Sequence, residues 1–574
     1  MQRRSFVSVS ALTAAGALLA ACRGGLGSGS DGGVSGGSAS DGASSGGGAS
    51  DGASSDGGAS AAPAEFQELE AHIMGQRVTA RVSPLVRLEE TATALVVELT
   101  RAADDAAVND VQEFQHFDDI LFASNYLGTP PLGTGADGVR LIDTAGAGRV
   151  WVAGSATGGG LKLKPGETAA SAVIFAPVDV DQVTALVPQT GFVTVSVIGR
   201  DQADAAGISS EVLAEADKAL KDKSGPGEKA AVVDLERYTR AIDDSASTHT
   251  TDKDVTVTLA SDVTFESDSY NLTDKADSQL QTVADQIAQY PDGGSLDIVG
   301  HTDDVADDAH NQKLSEDRAG AVKDRLGQLA DLAKWKVSTT GKGESEPAVK
   351  DTTDEARAAN RRVVITITPT GGAASSTAPS ATPSSAPSAV PSSSAPGGTA
   401  LPEPQGQVGA GPDGVTAVYP SIGSFDSSEQ VTITLPQVVR AGGLLFGQLS
   451  VTVGPRGADD NSVLSAWFDD DEFLLSNARG EDGSLVATIG AVNGLTLLAG
   501  GERVFPADYL DGDRQVHLPL SECNLFKSLK EGAVTTVCAV WPDTGEETVT
   551  LDHQAYKDDP WHAFRLTDIP VVSA

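Results

Sequence analysis

Two long parts of the chain, residues 66–199 and 414–574, alternate hydrophobic with polar positions. The clearest runs lie at 93–99, 192–197, 431–435 and 449–453. Clusters of Gly, Pro, Asp and Asn separate these runs. A period of two is typical of strands that bury one face, and many short strands divided by turn residues indicate antiparallel β-sandwiches. The pattern therefore predicts one β-sandwich at 63–205 and a second at 413–574.

Short motifs link the two predicted sandwiches. Gly-Leu-Thr-Leu-Leu at 494–498 is similar to Gly-Val-Arg-Leu-Ile at 138–142, and Val-Trp-Pro-Asp at 540–543 is similar to Ile-Phe-Ala-Pro at 174–177. The sequence Leu-Lys-Pro-Gly-Glu-Thr shortly before Val173 resembles extracellular immunoglobulin-like modules of bacterial lipoproteins. We therefore expect two divergent copies of one immunoglobulin-like module, which flank the region between them.

The region between the sandwiches, residues 251–370, has a mixed pattern. Short apolar runs alternate with segments in which hydrophobic residues recur every three or four positions, as on one face of a helix. We expect strands at 255–259, 296–301, 335–340 and 362–368, and helices at 274–290, 311–329 and 353–359. Helices on one face of a mixed sheet make an α+β domain. A further helix is predicted at 209–221, inside a connector at 206–250 that should pack locally.

Polar motifs stand at the ends of the central elements. They are Val-Gly-His-Thr-Asp at 299–303, Leu-Ser-Glu-Asp-Arg-Ala at 314–319, Gly-Lys-Gly-Glu-Ser-Glu-Pro at 341–347 and Asn-Arg-Arg-Val at 360–363. Asp303 follows a predicted strand, and Arg318 lies near the start of a predicted helix. Together they could hold both ends of a zwitterion, because a carboxylate binds an ammonium group and a guanidinium fork binds a carboxylate. A purely structural ion pair is the alternative.

These motifs, in this order and spacing, resemble the OmpA-like peptidoglycan-binding domain of OmpA C-termini, peptidoglycan-associated lipoproteins and MotB-type stator proteins. Phe-Glu-Ser-Asp-Ser at 265–269, followed by Leu272, is similar to the family's Phe-Asp-Phe-Asp-Ser motif, with Glu and Ser replacing its second and third residues. Asp-Asp-Val at 303–305 also departs from the family, in which many members have a glycine soon after His-Thr-Asp. The resemblance implies that Asp303 and Arg318 bind meso-diaminopimelate in the peptide stem of the cell wall.

Five other residues near these motifs are considered for the same site. The resemblance implies that Arg361 borders it, and a buried structural arginine is the alternative. Asp268 and Asn311 are candidate rim contacts, and Thr302 is a candidate to offer its hydroxyl or a backbone group beside Asp303. His301 invites an acid–base role, but a histidine at a strand end is more often hydrogen-bonded in a structural role.

The chain is strongly acidic, with 80 acidic and 40 basic residues among 574 and a formal net charge of −40. Nucleic acids and anionic lipid surfaces bind basic proteins, so this charge argues against both as electrostatic partners. The sequence has no nucleophile elbow, HExxH, CxxC or phosphate-binding loop, so we expect no enzyme, cofactor or metal site. The acidic run at 469–472 lacks the alternating ligands and glycine of a calcium loop, which favours a solvated loop.

Residues 1–22 have the features of an export signal, with Arg3 and Arg4, an apolar run, and small residues before Cys22. Leu-Ala-Ala-Cys resembles a bacterial lipobox, which implies that Cys22 carries a diacylglyceryl group with fatty acyl chains such as palmitate. An ordinary signal peptide is the alternative, and Sec and Tat export both remain open. No other apolar run approaches the ~20 residues that span a bilayer, so the lipid on Cys22 would be the membrane anchor.

The two other cysteines, Cys523 and Cys538, form an even pair, which predicts a disulfide in an oxidising compartment. The bond would close a loop of about 15 residues and stabilise the fold by roughly 3 kcal/mol.

Two segments lack the residues that make a core. Residues 23–62 are rich in Gly, Ser and Asp, and residues 371–412 are rich in Ser, Pro, Ala and Thr. We expect the first to be a flexible tether and the second an extended linker. Whether the tether is a spacer of required length, and whether the second linker is glycosylated, both remain open.

These features predict a non-catalytic lipoprotein of the cell envelope that tethers a membrane to peptidoglycan. The lipid would insert into the membrane, the central domain would bind the diaminopimelate stem, and the β-sandwiches would bind protein partners. Two alternatives remain open. One is an adhesion or receptor protein for which wall binding is only an anchor, and the other is a wall-modifying enzyme, which needs a catalytic constellation in a sandwich. A MotB-like stator is a further rival, but it needs a membrane helix with a proton-carrying acid, and the sole long apolar run is the predicted signal.

Overall fold

The structure is a computed structural model, and the residues that it describes are 64–73, 75–105, 136, 138–145, 148–157, 163–221, 230–370, 401–419, 429–455, 467–468, 492–511, 516–520, 531–555 and 561–574. The predicted export signal with Cys22, the predicted tether at 23–62, the acidic run at 469–472 and Cys523 lie outside these residues. The expectations for them stay predictions.

The described residues of the N-terminal β-region form ten strands, followed by a 3-10 helix at Arg200–Gln202 and by helix α1 at Ser210–Lys221. The strands are β1 Gln67–Ile73, β2 Gln76–Val82, β3 Leu85–Glu89, β4 Ala92–Arg101, β5 Arg140–Ile142, β6 Arg149–Val152, β7 Ser155–Ala156, β8 Thr168–Phe175, β9 Gln182–Val187 and β10 Gly191–Gly199. Helix α1 agrees with the helix predicted at 209–221. Its apolar residues Leu213 and Ala216 are buried against this region.

Three short strands connect this region to the central one. They are β11 Ala231–Asp234, β12 Arg237–Ala241 and β13 Ala246–Thr250.

The central region contains four strands and four helices. In chain order they are β14 Val255–Ala260, α2 Ser261–Thr264, α3 Asp274–Ala288, β15 Gly294–Gly300, α4 Asp308–Leu329, β16 Trp335–Gly341, α5 Asp354–Asn360 and β17 Arg362–Pro369. The strand order is β16-β15-β17-β14, with β15 parallel to β16 and antiparallel to β17. Alternate strand residues form one buried cluster with the apolar faces of α3 and α4. The expected mixed sheet with helices on one face is therefore present.

Twelve strands are found in the part of the C-terminal β-region that the structure describes. They are β18 Gln407–Ala410, β19 Val415–Tyr419, β20 Glu429–Thr434, β21 Val438–Ala441, β22 Leu444–Val453, β23 Thr496–Ala499, β24 Glu502–Val504, β25 Asp508–Asp511, β26 Val516–Pro519, β27 Val534–Pro542, β28 Thr548–His553 and β29 Phe564–Ser573.

The two β-regions have corresponding strand orders. The N-terminal order is β1-β2-β4-β3-β10-β9-β5-β6, with β8 paired to β4. The C-terminal order is β19-β20-β22-β21-β29-β28-β23-β24, with β27 paired to β22. A parallel contact occurs at the same place in both, between β3 and β10 and between β21 and β29. The similar motifs noted in the sequence fall on corresponding strands, whereas the immunoglobulin-like class stays a prediction.

The two β-regions pack against each other in space. Gln448 Nε2 donates a hydrogen bond to the backbone oxygen of Thr190 at 2.9 Å, and the rings of Phe192 and Phe446 meet edge to face at 5.0 Å. Residues of both regions share buried clusters. In the sequence the two β-regions lie on either side of the central region, but in space they contact each other. The contact buries the apolar side chains on their facing strands.

The connector at 206–250 does more than pack locally. Strand β11 pairs with β6 and extends the N-terminal sheet. Strand β12 pairs with β24 on one side and with β13 on the other, and β13 pairs with β14. The central sheet and the C-terminal sheet are therefore continuous. Strand β13 pairs with the edge of the central sheet at β14, and strand β12 pairs with the edge of the C-terminal sheet at β24.

Two expectations about anchoring and cross-linking are not settled by the described residues. None of the helices within the described ranges is both long and apolar enough to cross a membrane. Cys538 is fully buried in β27, and no disulfide is seen in the part of the chain that the structure describes. Because Cys523 lies outside that part, the disulfide stays a prediction.

Candidate functional site

The candidate site lies where β15 ends and α4 begins. Gly300 is the last residue of β15, and a Cβ added there would lie 2.1 Å from the backbone oxygen of Ser315 in α4. The strand and the helix therefore touch through their backbones, which only glycine permits. Ser315 Oγ also accepts a hydrogen bond from the Gly343 backbone N–H at 2.9 Å. The loop after β16 is thereby fixed against the same helix.

Asp303 is held in place by Arg361. Arg361 donates from Nη1 to Asp303 Oδ2 at 2.7 Å, and the Asp303 side chain is 15% exposed. The other edge of the guanidinium binds Asp262, with Nε donating to Oδ1 at 2.7 Å and Nη2 to Oδ2 at 2.5 Å. The hydrogen bond with Asp262, more than that with Asp303, raises the pKa of Arg361 above its ordinary value. Arg361 therefore stays charged and orients the Asp303 carboxylate.

Arg318 is buried but keeps donors available. The residue is only 4% exposed, its Nε donates to the backbone oxygen of Ser269 at 2.9 Å, and its guanidinium lies 5.1 Å from the centre of the Phe265 ring. Within the described residues, Nη1 and Nη2 make no hydrogen bond. Neither nitrogen is among the unpaired polar atoms that are sealed from solvent. Both nitrogens can therefore donate to a group that arrives from solvent.

Asp303 and Arg318 influence each other electrostatically. Burial lowers the pKa of Arg318, while the carboxylates of Asp262, Asp268 and Asp303 act in the opposite direction. No salt bridge joins Asp303 to Arg318 in the described part of the chain, since Asp303 pairs with Arg361 instead. The site thus offers a fixed carboxylate and a separate guanidinium with free donors. A ligand that carries both an ammonium group and a carboxylate fits this arrangement.

Thr302, predicted to offer a hydroxyl or backbone group beside Asp303, and Asn311, predicted as a rim contact, are 3% and 2% exposed. Asn311 Nδ2 contacts the backbone oxygens of Asp303 at 3.1 Å and Ala306 at 3.3 Å, and Glu344 Oε2 at 2.6 Å. Asn311 therefore lies beneath the loop and holds its shape. Thr302 Oγ1, in contrast, has no hydrogen-bond partner within the described ranges. This oxygen is sealed from solvent, so a contact between the Thr302 hydroxyl and a ligand would need the loop to move.

Asp268 lies at the edge of the site on an exposed loop. Its backbone has φ of 50°, and its Oδ1 is 3.1 Å from His310 Nε2 at the start of α4. Two other residues of the central domain, Tyr270 and Val305, are 53% and 71% exposed. Asp268 thus lies on an exposed loop beside the start of α4, and its role as a rim contact stays a prediction.

His301 has the environment of a structural histidine. It is 4% exposed, and its backbone N–H donates to the Arg362 oxygen at 2.9 Å. Burial first, and then the charge of Arg362, lowers the pKa of His301 to about 4. The ring is therefore neutral at neutral pH, which suits a structural role better than acid–base exchange.

The sequence did not single out Asp262 and Glu344, which complete the site. Asp262 binds Arg361 from 99 positions away, so no local spacing connects the two residues. Glu344 belongs to the motif at 341–347, but its contact with Asn311 depends on how the loop folds over α4. Phe265 was noted only as part of a motif, and its position under Arg318 is a tertiary feature.

The fold and the site define an α+β domain in which one helix arginine, Arg318, lies near a network of Asp262, Asp303 and Arg361 at the strand ends. The OmpA family matches residues 264–361 of the chain. The outer membrane porin F of Pseudomonas aeruginosa is 42% identical over 102 residues, which are 18% of this chain and 29% of that protein. The putative lipoprotein YfiB of Escherichia coli is 32% identical over 111 residues, which are 19% of this chain and 68% of that protein. The chain belongs to the OmpA family.

Two solved structures are also similar to the chain. The cell wall anchor of the T6SS from Pseudomonas aeruginosa is 28% identical, with a TM-score of 0.20, over 22% of this chain and 88% of that one. The peptidoglycan-associated lipoprotein from Burkholderia pseudomallei is 27% identical, with a TM-score of 0.16, over 18% of this chain and 86% of that one. The chain spans less than a third of the length of the Pseudomonas porin F proteins that it matches.

Proposed function

We propose that this chain is a non-catalytic protein of the cell envelope whose central domain binds peptidoglycan through meso-diaminopimelate. The observation that carries the proposal is the buried guanidinium of Arg318, which keeps two nitrogens free of hydrogen bonds within the described residues and lies within electrostatic reach of Asp303. A buried charge with free donors is costly unless a ligand completes its hydrogen bonds. The membership of the OmpA family supports the same choice of ligand.

The proposed binding mode assigns one charged group of the ligand to each residue. The carboxylate of the diaminopimelate terminus accepts hydrogen bonds from Arg318 Nη1 and Nη2. The ammonium group of the same terminus binds Asp303, whose oxygens each have a second lone pair beyond the bonds from Arg361 and Val305. Asp262 and Arg361 then hold Asp303 in place and balance each other's charge.

This binding mode predicts selectivity between two kinds of peptide stem. Diaminopimelate ends in an amino acid with both an ammonium group and a carboxylate, whereas a lysine side chain ends in an ammonium group alone. A lysine stem would leave the Arg318 donors unsatisfied. Specificity therefore comes from the Arg318 donors that stay unpaired when a lysine stem binds.

The rest of the chain would hold this binder at a membrane. We propose that Cys22 is lipidated, that the segment at 23–62 spans the distance to the wall, and that the two β-regions bind protein partners. The lipobox-like sequence supports the lipid, and one relative is named a putative lipoprotein. A Cys22→Ser variant should leave the membrane fraction if the lipid is the anchor.

The experiment is sedimentation of the full chain with purified sacculi of two stem chemistries. Wild type should pellet with diaminopimelate sacculi and much less with lysine sacculi. Asp303→Ala and Arg318→Ala should each lose about 2–5 kcal/mol of binding free energy, because the partner charge of the ligand is left unpaired. The matched control is Arg325→Ala, an arginine two turns further along α4 that pairs with Asp277.

Two outcomes would overturn the proposal. One is that either site variant pellets as well as wild type does. The other is that Arg325→Ala loses as much binding as Arg318→Ala, because the effect would then reflect the general charge of the helix and not the site.

A further inference from the structure

A second cluster of charged and metal-binding side chains lies where the central and C-terminal sheets join. Glu236 precedes β12, His249 lies on β13, and His517 lies on β26 of the C-terminal region. Both histidines direct Nε2 to the same carboxylate oxygen, Glu236 Oε2, at 2.5 Å from His249 and 2.9 Å from His517. The ligand atoms of all three residues lie within 4.8 Å of one another.

The chemistry of this cluster suits a divalent transition metal ion. Imidazole nitrogens and a carboxylate oxygen are ligands of zinc and its neighbours, whereas calcium and magnesium prefer oxygen alone. A tetrahedral zinc ion with bonds of roughly 2 Å separates its ligand atoms by about 3.3 Å. The two observed contacts are shorter than this by about 0.8 Å and 0.4 Å, so side-chain rotation would have to move the imidazoles apart from the carboxylate for an ion to enter.

The surroundings keep the three side chains in place but leave an approach for an ion. The side chains of Glu236, His249 and His517 are 12%, 27% and 13% exposed. The Tyr238 ring lies 6.4 Å from that of His249 and packs edge-on against Phe505 at 5.3 Å. Burial raises the pKa of Glu236, but the hydrogen bonds from both histidines outweigh it, so the pKa is well below its usual range and the carboxylate is ionised.

We propose that Glu236, His249 and His517 form a binding site for one divalent transition metal ion of the zinc type, which cross-links the central sheet to the C-terminal β-region. Three protein ligands leave one coordination position for water. The ion joins residues that are 13 and 268 positions apart in the sequence, so it stabilises the junction between β12, β13 and β26. This site is separate from the peptidoglycan proposal and does not depend on it.

The test is metal binding by the full chain, stripped with a chelator and then incubated with zinc chloride. Wild type should retain about one zinc ion per chain after desalting, measured by elemental mass spectrometry. His249→Ala and His517→Ala should each weaken zinc binding at least tenfold, since even the loss of a residue behind a metal ligand costs that much. Calcium chloride and magnesium chloride should give no stoichiometric binding.

A matched control and a second measurement guard against misfolding. His310→Ala removes an exposed histidine that pairs with one carboxylate and no second histidine, so zinc stoichiometry should not change. Zinc should slow hydrogen exchange in β13 and β26 of wild type and of His310→Ala, but not of His249→Gln, the conservative variant at a ligand position. Unchanged exchange in β1–β10 of each variant shows that its fold is retained.

The proposal is overturned if wild type retains no zinc. It is also overturned if the His249 and His517 variants retain as much as wild type, which would indicate scattered surface binding. A third contrary result is unchanged exchange at β13 and β26 with zinc bound, because the ion would then lie elsewhere. In any of these cases the histidines would serve only as hydrogen-bond partners of Glu236.

Discussion

Arg361 binds Asp303 through Nη1 and binds Asp262 through Nε and Nη2. One arginine therefore connects Asp303, a candidate ligand-binding residue, to the carboxylate of Asp262. Asp303 alone could rotate about its side-chain bonds. With one oxygen bonded to Arg361 and the other to the Val305 backbone N–H at 3.3 Å, its carboxylate has a defined direction. The arrangement makes Asp262 a positioning residue that acts on Asp303 through Arg361.

The first prediction concerns this positioning. Asp262→Asn should weaken binding of diaminopimelate sacculi several-fold, which is about 1 kcal/mol, because Arg361 loses a charged partner and no longer holds Asp303 in one orientation. The loss should be smaller than that of Asp303→Ala. Sedimentation with sacculi over a range of concentrations measures both.

The matched control for Asp262 is Asp277, which makes the same two-point contact with Arg325 between α3 and α4. Asp277→Asn removes an equivalent exposed pair away from the site and should leave binding unchanged. If Asp262→Asn also leaves binding unchanged, the direction of Asp303 does not depend on Arg361.

Hydrophobic periodicity predicted the four strands and the three longer helices of the central region, but not the short helix α2 at Ser261–Thr264. Strand β15 and helix α4 differ from the expected ranges by two or three residues, because hydrophobic periodicity sets the elements and caps set their ends. Asp307 caps α4 by accepting from the His310 backbone N–H at 3.0 Å, which moves its start ahead of the motif.

The contacts between distant parts of the chain could not be predicted in the same way. The bond between Arg361 and Asp262 and the continuity of β12 with β24 depend on how strands meet in space. The proposed metal site has the same origin, since His249 and His517 share no sequence motif. Period-two patterns indicate that strands exist, but they do not specify which edges pair.

The second prediction concerns the glycine at the end of β15. Gly300→Ala should destabilise the central region by about 1–3 kcal/mol or more, because its Cβ would overlap the Ser315 backbone oxygen and force β15 away from α4. It should also weaken sacculus binding, since Asp303 follows three residues later. Hydrogen exchange in β15 and α4 measures the loss of stability.

Gly327 provides the opposite case on the same helix. It is exposed, and a Cβ there would meet no atom within 4 Å in the described structure. Gly327→Ala should therefore stabilise α4 by about 0.5–1 kcal/mol, the usual difference in helix propensity. Equal exchange rates in the two variants would contradict the backbone contact between β15 and α4.

The third prediction concerns a buried ion network in the C-terminal β-region. Asp552 accepts from Arg503 Nη1 at 2.9 Å and from Arg565 Nε at 2.8 Å, and all three side chains are no more than 8% exposed. Asp552→Asn leaves two buried guanidinium groups without their counter-charge and should destabilise this region by about 3–5 kcal/mol. Hydrogen exchange in β23, β28 and β29 reports the change.

Asp217→Asn is the comparison for this network. Asp217 binds Arg200 through both oxygens, but the pair is partly exposed to solvent. Its loss should cost less than about 1 kcal/mol. Similar effects of the two substitutions would mean that the network around Asp552 is not excluded from water.

The last prediction is a pH dependence that arises from His301. Burial lowers the pKa of His301 to about 4 in the folded protein, against 6.5 in the unfolded chain. Between these values the unfolded chain binds the proton and the folded chain does not, so protonation favours unfolding as the pH falls. The contribution of neutral His301 to the free energy of unfolding is present above pH 6.5. It should fall by about 2 kcal/mol between pH 7 and pH 5.

His301→Gln isolates this contribution, because glutamine does not titrate and many carboxylates also change charge in the acid range. Hydrogen exchange in β15, corrected for the intrinsic effect of pH, should show a steeper loss of protection in wild type than in the variant. The loss in β4, which lies in the N-terminal β-region, should be the same in both proteins. Parallel pH profiles in β15 would mean that the His301 ring reaches water and titrates normally in the folded state.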